Sequence, residues 1–360
     1  MKGGSDRIPT NSIKNDIFAA MRRPNAILPL LLTLLTVGLA ACGGASDESS
    51  SDSTATAGSG GGGGASATLS LVAYSTPEVV YDEIIPDFQK TSEGRNVKFK
   101  TSFGASGEQS RAVEGGLPAD VVSFSIEPDM ERLVKADLVD AGWKNAQHDG
   151  LVTTSVVSFI VRKGNPKNIK TWDDLLRKGI KVITPNPFTS GAAKWNLLGA
   201  YQHGGLEFVD KLIKDHVEVQ PKSGREALQA FTAGEGDVLL SYEYEATTAQ
   251  KKGEDVEYVI PPDTLKIDIT IARTKEAPGA AQTFLSYLQG DAAQQRFADW
   301  GYRPVNEAIL EKNKDKFPEP QELKTIDDLG GWSKVNDELF DPEKGSIAKI
   351  EEEAGVSTAK

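Results

Sequence analysis

Three loops of small and hydroxyl-bearing residues are the segments of this chain best placed to do chemistry. They are Tyr74-Ser75-Thr76-Pro77, Phe103-Gly104-Ala105-Ser106-Gly107 and Pro185-Asn186-Pro187-Phe188-Thr189-Ser190-Gly191-Ala192-Ala193. Each follows a short apolar run and opens an amphipathic stretch, which places it between the carboxyl end of a strand and the start of a helix. The N–H groups of a first helical turn have no partner inside the helix, and the macrodipole adds about half a positive charge there. Small residues let an anion approach those groups, so such a loop can hold an anion without any cation. Any one of the three reads first as an ordinary Ser/Thr cap. Three in one chain bring the anion reading level with capping.

Other chemistries find less support. A single cysteine cannot form an internal disulfide, and His148, His203 and His216 are scattered, so no metal-ligand set is legible. Ser190 lacks the G-x-S-x-G elbow of a hydrolase. Glu243 and Glu245 read as alternate residues of one strand face, a spacing commoner on a solvated edge than in a carboxylate pair, with Glu243 pointing away from the face of Tyr242. Gly58 to Gly64 lacks the Gly-Lys-Ser/Thr of a phosphate loop. The expectation is a binder with no catalysis of its own and no cofactor. With 40 Lys+Arg against 52 Asp+Glu, a net charge of -12 and no basic run beyond the first 25 residues, nucleic acid is not an expected partner.

Residues 26–41 form an uncharged apolar run preceded by Arg22-Arg23 and short for a spanning helix. It ends in Leu39-Ala40-Ala41-Cys42, which resembles the bacterial lipobox, in which the cysteine sulfur receives a diacylglycerol. Residues 1–41 are therefore expected to be a lipoprotein-type signal peptide and Cys42 the lipidation site. Met21, just before the arginine pair, is an alternative start. Residues 42–67, dominated by Gly, Ser, Ala, Thr and Asp, cannot bury a core and read as a flexible tether to the membrane.

From Leu69 the pattern alternates strands with helices. Strands are expected at 68–74, 97–102, 119–124, 155–162, 181–184, 217–219, 237–242, 258–261 and 267–272. Helices are expected at 77–90, 128–135, 172–176, 192–201, 225–231 and 277–289. Strands separated by helices imply parallel α/β sheets covered on both faces. About 290 ordered residues exceed what one core usually serves, which favours two lobes.

Several collinear segments resemble the sulfate-binding proteins of bacterial sulfate and thiosulfate importers. They include Val161 to Leu175 (VRKGNPKNIKTWDDL), Val182 to Pro187, Thr189 to Asn196 (TSGAAKWN), Leu117 to Val122, Gly236 to Glu243, Tyr302-Arg303-Pro304, Phe317-Pro318 and Gly330 to Lys334. The resemblance spans essentially everything after the tether. It implies an α/β, two-lobed periplasmic-binding-protein fold of the second type, each lobe a parallel-rich sheet flanked by helices, closing on a dehydrated oxyanion. Lobe boundaries expected from it are 68–155 with 263–300, and 156–262. The tail 301–360 is expected to pack as helices on the first lobe and the hinge.

Carried over by residue, the resemblance places ligand donors on the backbone N–H groups of Ser75, Ser106, Gly191, Ala192 and Gly224 and on the hydroxyl of Ser190. Ala192 stands where the family often has a second glycine, a change that spares the N–H. Tyr242 stands where a tryptophan is common; its hydroxyl would replace an indole donor, as in the related molybdate-binding proteins. Arg225 reads either as positive charge behind the donors or as a surface ion pair. Lys194 replaces a usual arginine. Sulfate carries only acceptors, so a pocket of donors satisfies it, whereas hydrogen phosphate brings an O–H left unpaired at about 1–3 kcal/mol. The resemblance thus implies an extracytoplasmic, monomeric, lipid-anchored sulfate receptor that serves the permease subunits of an ATP-driven (ABC) importer. A receptor for thiosulfate, or for molybdate or tungstate, and an oxyanion-sensing module stay open as alternatives.

Overall fold

The computed structural model describes residues 66–358. The signal segment, Cys42 and nearly all of the tether lie outside the described residues. Eleven strands are described: β1 (Ala67–Tyr74), β2 (Val97–Gly104), β3 (Val121–Phe124), β4 (Leu151–Arg162), β5 (Val182–Ile183), β6 (Val217–Val219), β7 (Val238–Tyr242), β8 (Val256–Val259), β9 (Asp263–Arg273), β10 (Arg303–Pro304) and β11 (Glu322–Lys324). Between and after them come α1 (Glu78–Gln89), α2 (Ser106–Glu114), α3 (Glu127–Lys135), α4 (Trp172–Leu175), α5 (Gly191–Lys211), α6 (Gly224–Thr232), α7 (Glu243–Lys251), α8 (Gly279–Gln289), α9 (Asp291–Asp299), α10 (Glu307–Lys312), α11 (Gly331–Val335) and α12 (Ser346–Glu353). Among the described residues no helix is long and apolar enough to cross a membrane.

The strand order is β2-β1-β3-β9-β4-β7-β5-β6. At one end β1 runs parallel to β2 and β3, and at the other β5 runs parallel to β6 and β7. Joining the two groups are the long strands β4 and β9, which pair antiparallel with each other and with β7 and β3 respectively. The sheet is therefore mixed, not wholly parallel as the alternation suggests. β4 is the bridge: its first half pairs with β9, as in Ser155 opposite Ile267, and its second half pairs with β7 and β8. The Thr and Ser residues in its first half interrupt the apolar run, although β-branched threonine fits a pleated strand well.

The apolar runs of the inner strands β1, β3, β4 and β7 are largely buried on both faces, as helices on each side of a sheet require. On β4, Val157, Phe159 and Val161 enter the largest core cluster with Trp172 and Trp195, while Ile160 faces a second cluster with Ile183, Leu239 and Phe231. On β1, Leu69, Leu71 and Ala73 face one cluster and Val72 another, with Val122 and Phe124. This two-residue alternation locks register, since a one-residue slip would exchange the faces.

The end of the chain is tied to the two central strands and to a helix of each parallel group. β10 pairs with β4 and β11 with β9, while α11 packs on α3 and α12 on α5. The ring of Trp332, one residue into α11, lies edge-on to Trp195 of α5 with centroids 4.8 Å apart.

One local expectation fails. β7 ends at Tyr242 and the chain passes directly into α7, so Glu243 and Glu245 lie in the first turn of a helix instead of on a strand edge. Both are buried. Glu243 is not solvated: its two carboxylate oxygens accept from Arg303 Nε at 2.6 Å and Nη2 at 3.1 Å.

Candidate functional site

β1, β2, β5 and β6 each lead at their carboxyl ends toward a helix N-terminus, and the four N-termini converge. The N–H of Gly107 in the first turn of α2 donates to the Thr189 carbonyl just before α5, at 3.1 Å. A Cβ on Gly224, the first residue of α6, would stand 3.1 Å from Thr76 Cγ2 and 3.8 Å from Ala192 Cβ. The Arg225 N–H reaches the Ser75 hydroxyl at 3.4 Å. Ser75, Ser106, Ser190, Gly191, Ala192 and Gly224, far apart in sequence, thus line one buried junction. A cavity of about 300 Å³ opens beside it, with Gly107, Thr189, Ser190 and Gly191 in its wall.

Apart from the N–H groups of Gly107 and Arg225, already bonded to Thr189 and Ser75, side-chain caps take none of the N–H groups that would face an anion. Ala105 and Ser190, the capping residues of α2 and α5, make no side-chain cap. Ser223 does cap α6, accepting from the Glu226 N–H, which leaves the N–H of Gly224 uncapped by it. The hydroxyl of Ser106 is committed elsewhere, donating to Asp129 Oδ2 at 2.7 Å and accepting from the Ser125 N–H at 3.1 Å. Asp129 is itself buried, and burial raises its carboxyl pKa against the pull of Ser106 and Lys194.

Tyr242 closes the junction from β7. It is fully buried, its hydroxyl has no hydrogen-bond partner among the described residues, and burial raises its pKa, opposed by the neighbouring Ser125 hydroxyl. It belongs to an aromatic stack: its ring packs on Tyr244 at 5.0 Å between centroids, and Tyr244 on Tyr302 at 3.7 Å. The Tyr244 hydroxyl shares hydrogen bonds with Thr76 Oγ1 at 2.9 Å and Tyr74 at 3.2 Å, across the junction.

Charge around the junction is arranged behind the donors. Arg225 pairs with Glu78 of α1 and donates to the Ser75 carbonyl, so it joins α6 to the β1–α1 loop and is more than a surface ion pair. Burial lowers its pKa, while Glu245 and Tyr302 oppose that effect. For Glu245, burial pushes the carboxyl up to about 8, with Arg225 and Lys252 pulling the other way, which favours its neutral form. Lys194 donates to Asn336 Oδ1 at 2.7 Å and lies over the Phe340 ring, which ties the start of α5 to the chain's tail. The histidines take no part: His203 bonds Asp263 at 2.8 Å, and no metal-binding cluster occurs among the described residues.

Sequence reasoning missed Ser125, Asp129 and Glu245. Their signal was weak, because each acquires its place only when β3, α3 and α7 are brought against α5 and α6.

Two parallel groups of strands joined by crossing strands, with helix N-termini meeting between them, define a solute-binding protein of the second periplasmic type. Residues 69–303 match the family described as bacterial extracellular solute-binding protein. The chain belongs to that family. It is 38% identical over 330 residues to the sulfate-binding protein of Synechococcus elongatus, covering 86% of this chain and 91% of that relative. To the thiosulfate-binding protein of Escherichia coli it is 33% identical over 288 residues, 73% of this chain and 85% of the relative. Among solved structures, the sulfate-binding protein SubI from Mycobacterium tuberculosis is similar with a TM-score of 0.74 and 47% identity, covering 76% of this chain and 100% of that one.

Proposed function

We propose that this protein captures sulfate at the junction of the four helix N-termini and delivers it to an ATP-driven importer through that importer's permease subunits. The observation that carries this reading is the character of the groups that meet there. The N–H groups of Ser75, Ser106, Gly191, Ala192 and Gly224 and the hydroxyls of Ser190 and Tyr242 can all donate. Of the carboxyls around the junction, Asp129 accepts from the Ser106 hydroxyl and Glu245 is pushed by burial toward its neutral form. Such a set matches a tetrahedral dianion with only acceptors and penalises one that carries a proton. Likeness to sulfate-binding relatives supports the same ligand. Thiosulfate is the second reading, favoured by likeness to a thiosulfate-binding relative.

In this account lobe one comprises residues 68–155 and 263–300, and lobe two 156–262, with β4 and β9 forming the hinge. The protein acts as a monomer without catalysis, held outside the cytoplasm by a lipid on Cys42. Capture by hinge closure predicts that saturating sulfate contracts the molecule in solution scattering. An unchanged radius of gyration at saturation contradicts the trap.

A further inference from the structure

We infer that the hydroxyl of Ser125 donates a hydrogen bond directly to the captured oxyanion, a donor additional to the helix N-termini, Ser190 and Tyr242. This inference rests on the anion-capture reading above.

Ser125 follows β3 and is 1% exposed. Its backbone is held on both sides: its N–H donates to Ser106 Oγ at 3.1 Å, and its carbonyl accepts from Trp195 Nε1 at 2.7 Å. The side chain therefore leaves a fixed point between α2 and α5. Its Oγ has no hydrogen-bond partner among the described residues. Buried hydroxyls are nearly always paired, so a rigidly held, unpaired one asks for a partner.

Its direction names that partner. A Cβ built on Gly191 would come within 2.2 Å of Ser125 Oγ, so the hydroxyl fills the space over the first residue of α5, where an anion meets the N–H of Gly191. Next to it stands the Tyr242 hydroxyl, also buried and without a hydrogen bond of good geometry, close enough for Ser125 to oppose the rise in its pKa. The two hydroxyls come from opposite parallel groups, Ser125 from the end of β3 and Tyr242 from the end of β7. They neighbour each other, with Ser125 against the first residue of α5, so one acceptor seated there can take a hydrogen bond from each. The same contact explains why residue 191 is glycine, since any side chain would displace the Ser125 hydroxyl.

The test is sulfate titration of the purified full-length parent, Ser125→Ala, Tyr242→Phe and the double variant, with melting followed in the absence and presence of sulfate. Ser125→Ala is expected to weaken sulfate roughly 10- to 150-fold, the effect of one hydrogen bond to a charged ligand. Its ligand-free melting temperature should stay close to or above that of the parent, because the hydroxyl it removes makes no hydrogen bond of good geometry among the described residues. The loss should persist in the Tyr242→Phe background. Should Ser125→Ala melt below the parent, Ser125→Cys, with a weaker donor of similar shape, supplies the same affinity readout. Unchanged affinity in either Ser125 variant overturns the inference, as does a loss that vanishes once Tyr242 is Phe, which would make Ser125 a positioning residue only. A parent that binds no sulfate overturns the capture reading itself, and this inference with it.

Discussion

Arg225 of α6 pairs through its guanidinium with Glu78 of α1, and the same guanidinium donates to the carbonyl of Ser75. One side chain therefore holds together two helix N-termini from opposite parallel groups, directly behind the donors of the junction. Both partners are partly exposed, so solvent screening keeps the pair's own contribution to about 0–1 kcal/mol. Glu78→Gln should accordingly weaken sulfate by about fivefold at most, more at low than at high salt, with little change in ligand-free melting. Titrations at two ionic strengths check this; a loss of a hundredfold or more would mean that Glu78 does more than steady Arg225.

Removing the Tyr242 hydroxyl with Phe takes away one donor to a charged ligand without creating a cavity. Affinity for sulfate should fall roughly 10- to 150-fold. Ser190→Ala should cost a similar amount, because that hydroxyl caps nothing in α5. If Tyr242→Phe binds as the parent does while Ser190→Ala does not, Tyr242 serves only the aromatic stack with Tyr244 and Tyr302. Silence in both would place the pocket elsewhere.

Much of the junction was legible because its loops are punctuated by residues with a local meaning. Strands end at Tyr74, Gly104 and Ile183, and Ser, Thr, Pro and Gly then open α1, α2 and α5. The start of α7 carries no such sign. Its capping position is Tyr242, which makes no side-chain cap, so Glu243 and Glu245 read as alternating along the strand expected at 237–242 and are misplaced onto its edge. The mixed sheet was hidden for a different reason. Antiparallel pairing of β4 with β9 joins residues more than a hundred positions apart, as with Ser155 and Ile267, and no local pattern records it. Ser125 and Asp129 were invisible on the same ground, since what they touch belongs to α2 and α5.

Glu351 of α12 offers a test of the tail's packing by pH. It is fully buried; Oε1 accepts from Gln220 Nε2 at 2.9 Å, and Oε2 has no partner among the described residues. Burial pushes its carboxyl up to about 7, against the pull of Gln220. A folded-state pKa above the unfolded value means that the neutral carboxyl's contribution is complete below the ordinary glutamate range and is lost as pH rises through about 7. Glu351→Gln removes that loss. Thermal melts should find it about 1–3 kcal/mol more stable than the parent at pH 8, the cost of a buried unpaired polar group, with the difference closing at pH 4. Equal stability of the two at pH 8 would mean that Glu351 is solvated or paired when ionised.

Cys42→Ala should move the protein from the membrane fraction to the soluble extracytoplasmic fraction, because a lipid on this sulfur is the proposed anchor. Fractionation followed by immunoblotting reads this out. Retention of the variant in the membrane fraction would contradict lipidation at Cys42.

Equilibrium titration of the purified protein with sulfate, thiosulfate, molybdate and phosphate across pH tests the donor-only pocket most directly. Sulfate should bind with one site per chain, and phosphate should bind roughly tenfold to over a hundredfold more weakly, because its O–H meets no acceptor. Sulfate affinity should be level from roughly pH 5 to 7, where neither the ligand nor its donors titrate. It should then decline above about 8, as Glu245 ionises behind the site. Phosphate binding as tightly as sulfate, or no sulfate binding at any pH, would contradict the account.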